Sequence, residues 1–213
     1  PDPDPDPDPA GVCPEGLEPA AFTDRADIPA THRDNVDCAA DLAIVQGFAD
    51  GSYGPTLQVR RDQMASFIAR GLDAVGVDLP PPADQRFSDV VAGSAHDTNI
   101  HRLAAAGIVQ GGAGGLPATS YGPGQLVRRD QMASFLLRAA AFATDQELAS
   151  QTAAFPDVGP SNSHFANVNG ASETGLAQGF ADGTYRPADG VRRDQMGSFI
   201  IRLLTHIDDA NTG

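Results

Sequence analysis

Lysine is absent from this chain, and so is tryptophan. All 14 basic residues are therefore arginines, set against 28 Asp and Glu for a formal net charge of −14. That balance argues against a nucleic-acid partner, because binding phosphate backbones requires a basic face. No apolar run approaches the ~20 residues that a membrane-spanning helix needs. Cysteine is nearly absent as well, with only Cys13 and Cys38. If these two pair, the closed segment contributes on the order of 3 kcal/mol on a chain-entropy argument, and an exported protein would keep the bond. A Cys13–Cys38 disulfide is therefore the expectation, with two buried free thiols as the alternative. The first residue is not Met and no signal sequence is seen, so the chain reads as a piece of a longer precursor.

What is abundant is repetition. Residues Pro1 to Pro9 alternate Pro and Asp, which fixes φ at every second position and spaces like charges, giving an extended acidic spacer. Beyond it the hexapeptide VRRDQM occurs three times, beginning at Val59, Val127 and Val191. Each copy opens an apolar stripe at helical spacing: Met64, Phe67, Ile68; Met132, Phe135, Leu136; Met196, Phe199, Ile200. Upstream of each lies a Phe-x-Asp element at Phe22, Phe87 and Phe155, followed by His-x-x-Asn at His32, His96 and His164 opening a shorter helix. Those short helices should end near Ala43, Gly107 and Gly175, where glycine in two of the copies suits a left-handed cap. Turns beginning at Gly47, Gly111 and Gly179 then lead to Tyr53, Tyr121 and Tyr185, the second turn being longer than the others. After the second long helix, the stretch from Ala139 should prolong that helix before it breaks at Phe155-Pro156.

The arginine pairs stand out physically. Arg60, Arg128 and Arg192 fall at the expected cap positions, where a cation opposes the helix dipole by roughly 0.3–1 kcal/mol and Ser, Thr or Asp would be preferred. Three repetitions of an unfavourable choice suggest that the arginines face something anionic at the helix starts. The competing reading is pairing with the protein's own carboxylates.

The ordered set of Phe-x-Asp, His element, short helix, Asp-Gly-Thr-Tyr turn and Val-x-Arg closely resembles the S-layer homology repeat from Phe22 onward. The resemblance implies an all-α fold of three helix-turn-helix repeats in a pseudo-threefold bundle, preceded by the Pro-Asp spacer. It divides the chain into a linker and lead-in at 1–21 and repeats at 22–76, 87–144 and 155–208. It also implies a non-catalytic anchoring module at the surface or wall of a bacterium, binding an anionic, pyruvylated or otherwise charged cell-wall glycopolymer in grooves between repeats. By resemblance, the family's groove arginine falls on Arg61, Arg129 and Arg193. Arg60, Arg128 and Arg192 beside them, and Tyr53, Tyr121 and Tyr185 as sugar-stacking rings, complete the expected ligand-binding set, with packing of the tyrosines against the turn as the alternative. This chain departs from the family's Thr-Arg-Ala-Glu motif, having Arg for Thr and Gln for Glu, so the family's capping box is expected to be lost.

No nucleophile elbow, phosphate-cradling loop or metal motif is present, so no enzyme activity, cofactor or metal is expected. His32, His96 and His164 could in principle meet on a threefold axis around zinc, but local hydrogen bonding with the nearby Asn is the adopted reading. The alternative function is a structural repeat of an exported protein that self-associates or binds a partner protein, its arginines used in interface salt bridges.

Overall fold

The computed structural model describes residues 11–82 and 86–212, so the Pro1–Pro9 spacer lies outside the described residues. Six α-helices follow in order: α1 (Ala30–Asp41), α2 (Arg61–Ala74), α3 (Asp97–Ala105), α4 (Arg129–Thr144), α5 (Phe165–Glu173) and α6 (Arg193–Thr212). Among the described residues there is no β-strand, only isolated bridges. The long helices α2, α4 and α6 pack on one another. Their Met, Phe and aliphatic stripes are buried in one continuous core, with Met64, Met132 and Met196 all fully enclosed. Burying such side chains stabilises by roughly 1.5–3 kcal/mol each.

The short helices pack in a pattern that sequence spacing does not reveal. Each lies against the long helix of the preceding repeat: α3 on α2, α5 on α4, and α1 on α6. The chain thus closes into a ring, the first repeat covering the last. The lock is a serine inside each long helix. Ser66 Oγ lies 2.8 Å from His96 Nδ1 and accepts from Asn99 Nδ2 at 3.1 Å. Ser134 meets His164 and Asn167 in the same way, and Ser198 meets His32 and Asn35. The expected local role of His-x-x-Asn is therefore corrected, because both side chains reach across a repeat boundary. The three histidines sit in three separate interfaces and do not meet.

A second ring closes around the pseudo-threefold axis. Val59 N–H donates to Val191 O at 2.8 Å, Val191 N–H to Val127 O at 2.9 Å, and Val127 N–H to Val59 O at 2.9 Å. Each turn is held by the carboxylate at its repeat's start: Asp24 accepts from the Tyr53 and Gly54 N–H groups, Asp89 from Tyr121 and Gly122, and Asp157 from Tyr185 and Arg186. The short helices end in left-handed residues, with φ of 56° at Ala43, 74° at Gly107 and 73° at Gly175.

Helix α4 stops at Thr144, earlier than expected for the segment after Ala139. The following stretch leaves the helix and pairs with α5, where Ser150 N–H donates to Ala166 O and Ala154 N–H to Asn169 Oδ1. Gly170 permits this approach, since a Cβ there would collide with the Leu148 carbonyl. At the other end Cys13 and Cys38 are joined, with Cα atoms 5.6 Å apart. Arg25 also pairs with Asp37, its Nε donating to Oδ1 at 2.9 Å. The disulfide fastens the lead-in, and the ion pair the start of the first repeat, to α1, the helix that closes the ring.

Candidate functional site

The beginnings of α2, α4 and α6 carry both arginines of each pair, and their backbone donors are fully used. At α2 the Arg60 N–H donates to Gln63 Oε1 at 3.1 Å and the Gln63 N–H to Asp62 Oδ1 at 2.7 Å. The Arg61 and Asp62 N–H groups donate to the carbonyls of Gln125 and Pro123 in the next repeat's turn. Asp130 with Gln131, and Asp194 with Gln195, repeat the pattern. The capping box is thus rebuilt rather than lost: Gln keeps the role of Glu, and the Asp takes that of Thr, because an arginine side chain has no acceptor. All four orphan donors of each helix start are satisfied within the protein. They are not available to an anion, contrary to the expectation from the sequence.

The two arginines of each pair have opposite fates. Arg60, Arg128 and Arg192 point outward and fork onto Asp62, Asp130 and Asp194, with Nη2 to Oδ2 distances of 3.0, 2.6 and 3.0 Å. Their charge is neutralised locally. Arg61, Arg129 and Arg193 turn inward and are only 2–3% exposed. Among the described residues none of these three has a carboxylate at salt-bridge distance. Instead Arg61 Nε donates to the Tyr121 carbonyl at 2.9 Å, while the Tyr121 hydroxyl donates back to the Arg61 carbonyl at 2.8 Å. Arg129 and Tyr185, and Arg193 and Tyr53, make the same exchange across the other two boundaries. Burial pushes the Arg61 and Arg193 guanidinium groups below their ordinary value and the Tyr53 and Tyr121 phenols above theirs.

The tyrosines require a correction. All three rings are fully buried, packed on Phe22, Phe87 and Phe155 with centroids 5.0–5.3 Å apart. They hold the repeats together and offer no face to a sugar.

Each inward arginine lies at a boundary between repeats, wrapped by aromatic rings. Arg193 is covered by Phe48, Tyr53 and Phe67 at 4.9, 4.7 and 5.6 Å. Arg129 is covered by Phe180, Tyr185 and Phe199 at 4.9, 4.7 and 6.0 Å. Arg61 has only Tyr121 and Phe135, at 4.5 and 5.1 Å. The missing ring is the one from the turn, where Gly112 stands in place of Phe48 or Phe180. Here the surface opens into a groove of about 340 Å³, walled by Arg61, Arg128, Arg138, Phe135, His164 and the glycine-rich turn.

Arg138 was not among the residues singled out from the sequence. Each VRRDQM segment is followed, further along the same helix, by another arginine: Arg70, Arg138 and Arg202. Arg70 donates to the Ile44 carbonyl at 3.3 Å, and Arg202 is buried. Arg138 is half-buried and makes no hydrogen bond or ion pair among the described residues. Burial first, then the like charge of Arg61, pushes its guanidinium below the ordinary value. His164 in the same groove is likewise held below its ordinary value, mainly by burial, with Asp130 opposing and Arg138, Arg128 and Arg61 reinforcing.

The profile of the S-layer homology domain matches residues 21–65, 86–133 and 154–196, more than half of the chain. The chain belongs to the S-layer homology domain family. Domains of this family anchor proteins at the bacterial cell surface and are not catalytic. The three matched segments of this S-layer homology module each run from a Phe-x-Asp element into the start of a long helix. The module is also similar to a "Cell surface protein" of Thermoanaerobacter kivui, 31% identical over 132 residues. That alignment covers 62% of this chain but 16% of the relative, so the chain spans a small part of that protein's length. Among the described residues no helix is long and apolar enough to cross a membrane, and no group of three or more His, Cys, Asp or Glu is placed to hold a metal ion.

Proposed function

We propose that this module attaches its parent protein to the cell wall by binding an anionic glycopolymer in the clefts between repeats. The observation that carries the reading is the placement of Arg61, Arg129 and Arg193: three guanidinium groups drawn into the boundaries between repeats of an acidic protein, without a carboxylate partner at salt-bridge distance among the described residues. Placing a cation there costs desolvation, which internal carbonyls and rings only partly offset. An anionic group on a sugar would supply the missing counter-charge through charge-assisted hydrogen bonds. Arg60, Arg128 and Arg192 serve in this reading as cleft rims whose charge Asp62, Asp130 and Asp194 already balance.

Co-sedimentation tests it. The purified module should pellet with walls from the bacterium that makes it, and should remain soluble with the same walls stripped of their glycopolymers by hydrofluoric acid. Equal binding to both would defeat the proposal. Failure to bind either, together with concentration-dependent oligomerisation, would favour the self-assembly alternative.

A further inference from the structure

The three inward arginines share one design and differ in one respect that bears on which of them can meet a ligand. Over two of them a phenylalanine from the turn, Phe48 or Phe180, lies as a third ring. Phe180 is held there by Arg186, whose guanidinium is 3.7 Å from the ring centroid and pairs with Asp182 at 2.8 Å. At Arg61 this ring is absent. Gly112 occupies the position at a φ of 82°, a left-handed conformation that a phenylalanine would adopt only with strain. The longer turn then swings clear and leaves the groove of about 340 Å³, within the size range of small-ligand sites.

The charge around this groove is also uneven. Arg128 is neutralised by Asp130. Arg61 and Arg138 are not neutralised, and Arg138 has no partner at all among the described residues. Two like charges facing one polar groove, one of them uncommitted, are an unfavourable arrangement for the folded protein alone. An anion between them turns that repulsion into a paired clamp.

We infer that the groove bounded by Arg61 and Arg138 is the working ligand site among the three, taking one anionic substituent of a saccharide, and that Arg138 is the residue that meets the charge. The Arg193 and Arg129 positions, covered by Phe48 and Phe180, are its structural copies. The inference rests on the glycopolymer reading above and narrows it to one groove.

The test compares R138Q, R70Q and F180A with the unaltered module, using walls purified from the bacterium that makes the protein. R138Q should weaken wall binding at least tenfold while its thermal midpoint stays unchanged or rises, since it removes a desolvated cation that holds nothing in place. R70Q and F180A should bind walls within twofold of the unaltered module. Wall binding by R138Q equal to that of the unaltered module would overturn the inference and leave the anchoring proposal standing. So would a loss with R70Q or F180A as large as with R138Q. If the unaltered module itself ignores the walls, both proposals fall together. A lower thermal midpoint for R138Q would mark Arg138 as a structural residue and overturn its assignment.

Discussion

Adjacent residues of identical type can do opposite work, and the VRRDQM segments show why. The first arginine of each pair precedes the helix and reaches the Asp two residues on, so it closes a local fork at the surface. The second is the first residue of the helix, and its side chain projects into the neighbouring repeat, where carbonyls and rings receive it. The reciprocal tyrosine bond is the structural counterpart. Tyr121→Phe removes the donor to a buried carbonyl and should destabilise the module by about 1 kcal/mol, read by chemical denaturation, with the wall-bound fraction unchanged when the protein is folded. No loss of stability would show that the hydroxyl contributes nothing to the repeat boundary.

Histidines set the acid behaviour at the same scale. His96, His164 and His206 are all held below the ordinary value of 6.5, chiefly by burial. The unfolded chain takes up protons at these sites at a higher pH than the folded one does. Their contribution to stability is therefore complete above about pH 6.5 and is lost as the pH falls through the folded values. The thermal midpoint should be lower at pH 5 than at pH 7.5, and H164Q should reduce that difference.

At the scale of the element, helix ends and turns carry most of the variation among the three copies. The left-handed residue that ends each short helix is Gly107 or Gly175 in two copies and Ala43 in the first, at a φ of 56°. A Cβ in that conformation costs roughly 1 kcal/mol or more, and Ala43 is exposed, so little packing depends on its methyl group. Ala43→Gly should therefore stabilise the module by about 0.5–1 kcal/mol after allowing for the added freedom of the unfolded chain. A calorimetric midpoint at or below that of the unaltered protein would contradict this account. The left-handed caps at Gly107 and Gly175 were legible in the sequence because glycine marks that backbone conformation, whereas the one at Ala43 was not. The rebuilt N-terminal cap was not, because Gln63 and Asp62 share between them a task that the familiar motif assigns to Thr and Glu.

At the scale of the whole molecule, the module carries a net charge of −14, so an anionic polymer approaches against a repulsive field and is held only by local arginines. The attraction acts over a few ångströms inside a groove, whereas the repulsion acts through solvent, where the Debye length is about 10 Å at 0.1 M salt and 3 Å at 1 M. Moderate salt should therefore speed association, while high salt should weaken the bound state. Binding to purified walls followed from 20 mM to 1 M sodium chloride should pass through a maximum. A monotonic decline would show that attraction already dominates at long range. Closure of the ring by α1 on α6 also makes the three repeats one folding unit, since removing any one leaves the apolar faces of two others bare.

The sequence by itself determined the number of repeats, the helical class, the starts of the long helices and the apolar stripes that those helices bury. All of these follow from periodicity and from preferences acting within a turn or two of chain. Only the tertiary structure decided which arginines are neutralised, that the tyrosines are buried fasteners, and that each short helix belongs against the previous repeat. The same six residues recur three times, so nothing within them distinguishes one copy's surroundings from another's. The side chain that faces Arg61 comes from a different repeat and a different turn. A glycine in that turn, in place of a phenylalanine, leaves one cleft open.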